Sequence, residues 1–100
     1  MIITIGKAAD NAYVADDPQV SRHHARLVSE PDGGWLLEDL ESTNGTFVND
    51  MQVIRKRITK HDQIRLGEHY TLSLSTLLKA GNDYSEEFAQ LKTVYDRYIQ

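Results

Sequence analysis

Residues 25–40, Ala25-Arg26-Leu27-Val28-Ser29-Glu30-Pro31-Asp32-Gly33-Gly34-Trp35-Leu36-Leu37-Glu38-Asp39-Leu40, decide the fold. Ala25 and Leu27 alternate with Arg26 and Val28, Pro31-Asp32-Gly33-Gly34 supplies turn chemistry, and a second extended run starts at Trp35. The segment therefore predicts a β-hairpin. Working outward, the same pattern returns. Upstream, the β-branched run Ile2-Ile3-Thr4-Ile5 is closed by Gly6, and Tyr13-Val14 precedes the turn formers Asp16-Asp17-Pro18. Downstream, Thr46-Phe47-Val48 and Met51-Gln52-Val53-Ile54 flank Asn49-Asp50, two residues that tolerate positive φ. Gln63 to Leu66 and His69 to Leu74 alternate on either side of Gly67-Glu68. Many short strands separated by turns, with no helical period before residue 80, predict an all-β sandwich.

The end of the chain differs. Gly81-Asn82-Asp83 breaks the alternation, Ser85 with Glu86 and Glu87 reads as a helix start, and Phe88, Leu91, Val94/Tyr95 and Tyr98/Ile99 recur at helical spacing. The expectation is a domain over 1–80, then a linker and a C-terminal amphipathic helix from about residue 85 that packs on the sandwich, leads to a longer chain or self-associates.

Composition bounds the function. One hundred residues with 40% apolar content and 26% charge suit one soluble domain, and the absence of cysteine excludes disulfides and thiolate metal sites. No apolar run reaches membrane length, and Met1-Ile2-Ile3-Thr4-Ile5 lacks a signal-peptide leader, so a cytoplasmic protein is expected. The net charge of −4 opposes nucleic acid and acidic membranes as partners, so an anion site must be a local gathering of cations. Arg55-Lys56-Arg57 reads as a solvated loop or an edge strand.

Two polar clusters are not explained by core packing: Ser21-Arg22-His23-His24-Ala25 and Ser42-Thr43-Asn44-Gly45-Thr46. Their hydroxyls, amides and bases suit loops that hold a ligand rich in hydrogen-bond acceptors, such as a phosphate. Catalysis and metal binding fit less well. Ser21 and His24 with Asp16 and Asp17 suggest a triad, but there is no strand-elbow Gly-x-Ser-x-Gly and a small sandwich has little room for a deep pocket. His23 and His24 are adjacent and in an extended segment point opposite ways, while His61 and His69 have no companions at ligand spacing. No catalytic residue, metal ligand or cofactor is assigned.

Gly6-Lys7, Ser21-Arg22-His23-His24-Ala25 and Ser42-Thr43-Asn44-Gly45-Thr46-Phe47-Val48-Asn49, in this order and spacing, resemble the forkhead-associated (FHA) domain over roughly residues 1–78. Val14, Trp35, Leu40 and Asp62-Gln63-Ile64-Arg65-Leu66-Gly67 extend the resemblance. It implies an eleven-stranded β-sandwich without enzymatic activity, whose loops bind a phosphothreonine segment of another protein, a substrate of a Ser/Thr kinase. By the resemblance, Ser21 donates to a phosphate oxygen, Lys7 and Arg22 supply charge, Thr43 adds a donor and Asn44 holds the peptide main chain. Gly6, His24 and Gly45 form the scaffold. Lys7 departs from the arginine usual in the family, replacing a planar fork with a point charge. Asn49-Asp50 and His61-Asp62 depart only in turns. The alternative is a phosphate-independent structural or oligomerisation module that associates through the C-terminal helix or a sheet edge.

Overall fold

The computed structural model describes residues 1–81. They form two packed sheets. The first contains β1 (Ile2–Gly6), β2 (Tyr13–Val14), β3 (Ala25–Ser29), β4 (Trp35–Asp39) and β7 (Arg55–Ile58), in the order β2-β1-β3-β4-β7. The second contains β5 (Thr46–Val48), β6 (Met51–Val53), β8 (Gln63–Leu66) and β9 (Tyr70–Ser73), in the order β6-β5-β8-β9. Among the described residues only β1 and β2 pair parallel.

The hairpin over 25–40 forms as its alternation predicts: Leu27 stands opposite Leu37, and both are buried. Ile3 lies across from Leu27, so one buried row crosses β1, β3 and β4. Val48, Ile64, Leu66 and Leu72 answer from the second sheet. Burying each such side chain stabilises the fold by about 1.5–3 kcal/mol. Asn49 and Asp50 have φ of 50° and 67° in a two-residue turn that sets Val48 against Met51, the positive-φ pair that a type I′ hairpin requires. Arg55-Lys56-Arg57 is indeed an edge strand, the outermost of its sheet.

The described residues contain nine strands, not the eleven implied by the family resemblance. The end of the sandwich also differs. Leu72-Ser73-Leu74 reads as continued alternation, but the strand stops at Ser73 and residues 74–81 are helical. Ser73 acts as the cap, its hydroxyl accepting the Thr76 N–H at 3.4 Å. Leu74 and Leu77 are both buried, three residues apart, which also fits a helix face; a short apolar run satisfies either period. This helix was not expected from the sequence, and Gly81 belongs to it, against the Ile3 side chain. The helix expected from about residue 85, with its stripe Phe88, Leu91, Tyr95 and Tyr98, lies outside the described residues.

Strand register gathers the polar loops. Ile5 at the end of β1, Ala25 at the start of β3 and Asp39 at the end of β4 are in line in one sheet, as are Thr46, Leu66 and Tyr70 in the other. The loops 7–12, 15–24, 40–45 and 67–69 consequently leave the sandwich at one end.

Candidate functional site

The two polar clusters meet there, and His24 joins them. Its side chain is fully buried. The Ser21 N–H donates to His24 Nδ1 at 3.0 Å, and His24 Nε2 lies 2.9 Å from the Gly45 carbonyl. Because Nδ1 accepts, the ring proton sits on Nε2 and is donated to Gly45. One imidazole thus fixes the distance between the loop of Ser21 and the loop of Asn44.

Ser21 makes a second link. Its Oγ accepts the Thr43 N–H at 3.1 Å, which leaves the hydroxyl proton available to a ligand. Asn44 leans the other way, donating from Nδ2 to the Gln19 carbonyl at 2.9 Å and leaving Oδ1 and one N–H unused by that bond. Thr43 and Asn44 are exposed.

Lys7 and Arg22 are exposed and line one cleft of about 660 Å³ with Ala8, Ala9, Asp10 and His23. Ser21, Thr43 and Asn44 do not border this cleft. Among the described residues neither Lys7 nor Arg22 forms an ion pair, whereas His23 faces Asp10 at 3.2 Å. The main chain locks this side: the Lys7 N–H donates to the Ser21 carbonyl at 2.9 Å and the Ala8 N–H to the Arg22 carbonyl at 3.1 Å. Gly6 permits that closeness, since a Cβ there would stand 2.7 Å from the Arg22 carbonyl carbon.

Two supporting residues were not found by sequence reading. Asn11 is buried and donates from Nδ2 to the Ala8 and Arg22 carbonyls, both at 2.8 Å, closing the loop over 7–12. Asp39 accepts the Ser42 hydroxyl, the Ser42 N–H at 3.1 Å and the Thr46 hydroxyl at 2.7 Å, while Ser42 Oγ in turn accepts the Gly45 N–H at 3.1 Å. An Asp three residues before a Ser, at a strand end, is a local side-chain-to-backbone pattern that points to such a turn. The turn holds Glu41 at φ 56° and Gly45 at φ 89°.

Burial pushes the Asp39 carboxyl up, but the hydrogen bonds from Ser42 and Thr46 outweigh it and hold it below the ordinary carboxylate range. A depressed folded-state pKa means that its stabilisation is complete above the unfolded value, about 3.9, and is lost as pH falls through the lower folded value. Asp39→Asn, with one acceptor oxygen in place of two, is expected to lower stability at neutral pH and to flatten the acid limb of the stability–pH curve below about pH 4. Urea midpoints from pH 2 to 7 check this; parallel curves for both proteins would refute it.

A β-sandwich whose polar site is carried by loops at one end is a scaffold for recognition by loops. The chain belongs to the FHA domain family, whose model matches residues 3–67. It is 42% identical over 65 residues to the ABC transporter ATP-binding/permease protein Rv1747 of Mycobacterium tuberculosis, covering 65% of this chain and 7% of that protein. One similar solved structure, from a structural and functional analysis of phosphothreonine-dependent FHA domain interactions, has TM-score 0.63 at 36% identity and covers 70% of each chain. Another, Mycobacterium tuberculosis EmbR in complex with low affinity phosphopeptide, has TM-score 0.65 at 32% identity, covering 72% of this chain and 19% of that one. The chain thus spans only a small part of the length of some relatives.

Proposed function

We propose that this chain is a phosphothreonine-dependent binding module that receives a phosphothreonine segment of a partner protein, a substrate of a Ser/Thr kinase, in the cytoplasm, without catalysis. The observation that carries this reading is the Ser21 hydroxyl: it accepts the Thr43 N–H at 3.1 Å and so keeps its proton for an acceptor, in a segment that is followed by Arg22 and bonded through its main chain to Lys7, two cations that make no ion pair among the described residues. A phosphothreonine brings about −1.5 to −2 charges and three strong acceptor oxygens, the complement of that arrangement.

The roles divide as follows. Ser21 donates to a phosphate oxygen, Arg22 contacts the phosphate or the flanking peptide, and Lys7 adds a point charge. The Thr43 N–H is already engaged by Ser21, so Thr43 offers its hydroxyl. Asn44 keeps an acceptor and a donor, which together clamp an extended peptide backbone whatever its sequence. The threonine methyl contributes on the order of 1 kcal/mol, so phosphoserine binds about five-fold more weakly.

A degenerate phosphothreonine peptide library passed over the protein, with a phosphatase-treated copy as control, tests this. Retention of the phosphorylated library alone is expected. Equal retention of both would overturn the proposal in favour of phosphate-independent association.

A further inference from the structure

Gln19 belongs to neither polar cluster, yet it connects one of them to a distant turn. Its backbone carbonyl accepts Asn44 Nδ2 at 2.9 Å, while its side-chain Oε1 accepts the Glu68 N–H at 2.6 Å. We infer that Gln19 is the positioning residue of Asn44, holding the amide in register with the ligand by anchoring it to the turn between β8 and β9. This rests on the reading of Asn44 as the clamp on the peptide main chain.

The geometry is specific. Gly67 has φ 70°, and a Cβ there would lie 2.9 Å from Gln19 Oε1 and 3.0 Å from Gln19 Cβ, so the turn is fitted against this side chain. The Gln19 N–H donates to Asp17 Oδ1 at 2.9 Å, and Asp17 Oδ2 lies 2.9 Å from His69 Nε2 on the same turn. On the far side of Asn44, the Gly67 N–H donates to the Gly45 carbonyl at 3.0 Å. The turn 67–69 therefore grips the residues around Asn44 from both directions, from Gly45 and through Gln19. Asn44 is exposed, and an exposed amide left to itself would sample several rotamers and both flips. Committing one of its N–H groups to a carbonyl that is itself fixed leaves Oδ1 and the second N–H in one orientation before the peptide arrives, which lowers the ordering cost of binding.

A side chain that only braced the turn, or that touched the ligand directly, would behave differently. Two measurements separate these cases: the Asn44 side-chain amide resonance in the ligand-free protein, and affinity for a phosphothreonine peptide selected from the library. Gln19→Ala is expected to shift the Asn44 resonance towards that of a free amide and to weaken binding about 3- to 10-fold, as for one lost hydrogen bond. Gln19→Glu, which keeps an acceptor at the same position, restores the resonance, while its added charge makes affinity the less direct readout for that variant. The Gln19→Ala/Asn44→Ala double variant binds no more weakly than Asn44→Ala alone, because Gln19 acts through Asn44. An unmoved Asn44 resonance in Gln19→Ala overturns the inference whatever the peptide does, and so do additive losses in the double variant. A resonance that moves in a protein indifferent to phosphate overturns the proposed function and leaves the Gln19–Asn44 link standing.

Discussion

Ser21→Ala is expected to weaken phosphothreonine-peptide binding by about 10- to 100-fold, the equivalent of one charge-assisted hydrogen bond of roughly 1.5–3 kcal/mol. The loss exceeds that of Lys7 because the hydroxyl works in two directions. It accepts the Thr43 N–H and thereby holds the loop, and it donates to the phosphate. Folding suffers little, since the Thr43 N–H that loses its partner is exposed and water replaces the oxygen. Lys7→Ala provides the comparison. An exposed ammonium interacts through a screened point charge of about 0.2–1 kcal/mol, so its removal lowers affinity about 1.4- to 5-fold, and the loss shrinks as salt rises. Lys7→Arg tightens binding, because a planar fork grips two phosphate oxygens at once. Titration calorimetry of the three variants at low and high salt orders these effects. Undiminished binding by Ser21→Ala would remove the hydroxyl from the site, and undiminished binding by Lys7→Ala would remove the lysine.

The second large effect is on the scaffold. His24→Ala is expected to destabilise the protein by about 2–4 kcal/mol, through a buried cavity and a backbone donor left without a partner. The two ring bonds are not equivalent. The Gly45 carbonyl keeps the Gly67 N–H when the ring is removed, whereas the Ser21 N–H has only Nδ1. His24→Asn, whose Oδ1 stands near the place of Nδ1, therefore recovers part of the loss by accepting from Ser21. Without the ring the two loops keep the exposed Thr43–Ser21 and Asn44–Gln19 bonds but lose the tie between Ser21 and Gly45, so peptide binding falls together with stability. Urea denaturation of both variants measures the difference; a His24→Ala protein within about 0.5 kcal/mol of the wild type would show that the ring is not the tie.

How much was legible depended on the range of each interaction. The hairpin over 25–40 could be read because alternation and turn chemistry are local, and the buried Leu27–Leu37 pair follows from them. Asn49-Asp50 could be read as a turn for the same reason. The helical start at 74 could not, because Leu72-Ser73-Leu74 fits a strand and only the seating of Leu74 and Leu77 in the core distinguishes a helix. Asn11 escaped notice because it looks like an ordinary loop polar residue until the Arg22 carbonyl is in place, whereas Asp39, at the end of a strand and three residues before Ser42, carried a local signal. Gln19 is the extreme case. Its bond to Glu68 spans 49 positions, a separation over which no periodicity carries information.

Composition and pattern by themselves determined a small all-β domain with two polar loop clusters and, through the order Gly6-Lys7, Ser21 to Ala25 and Ser42 to Asn49, its family. Those features are written in residues close together along the chain, where burial period and turn propensity act. Tertiary structure alone decided that His24 ties the clusters, that the Thr43 N–H is engaged by Ser21 and that Asn44 rests on Gln19. A hydrogen bond depends on donor and acceptor meeting within about 3 Å, and only strand register brings together groups so far apart in the chain.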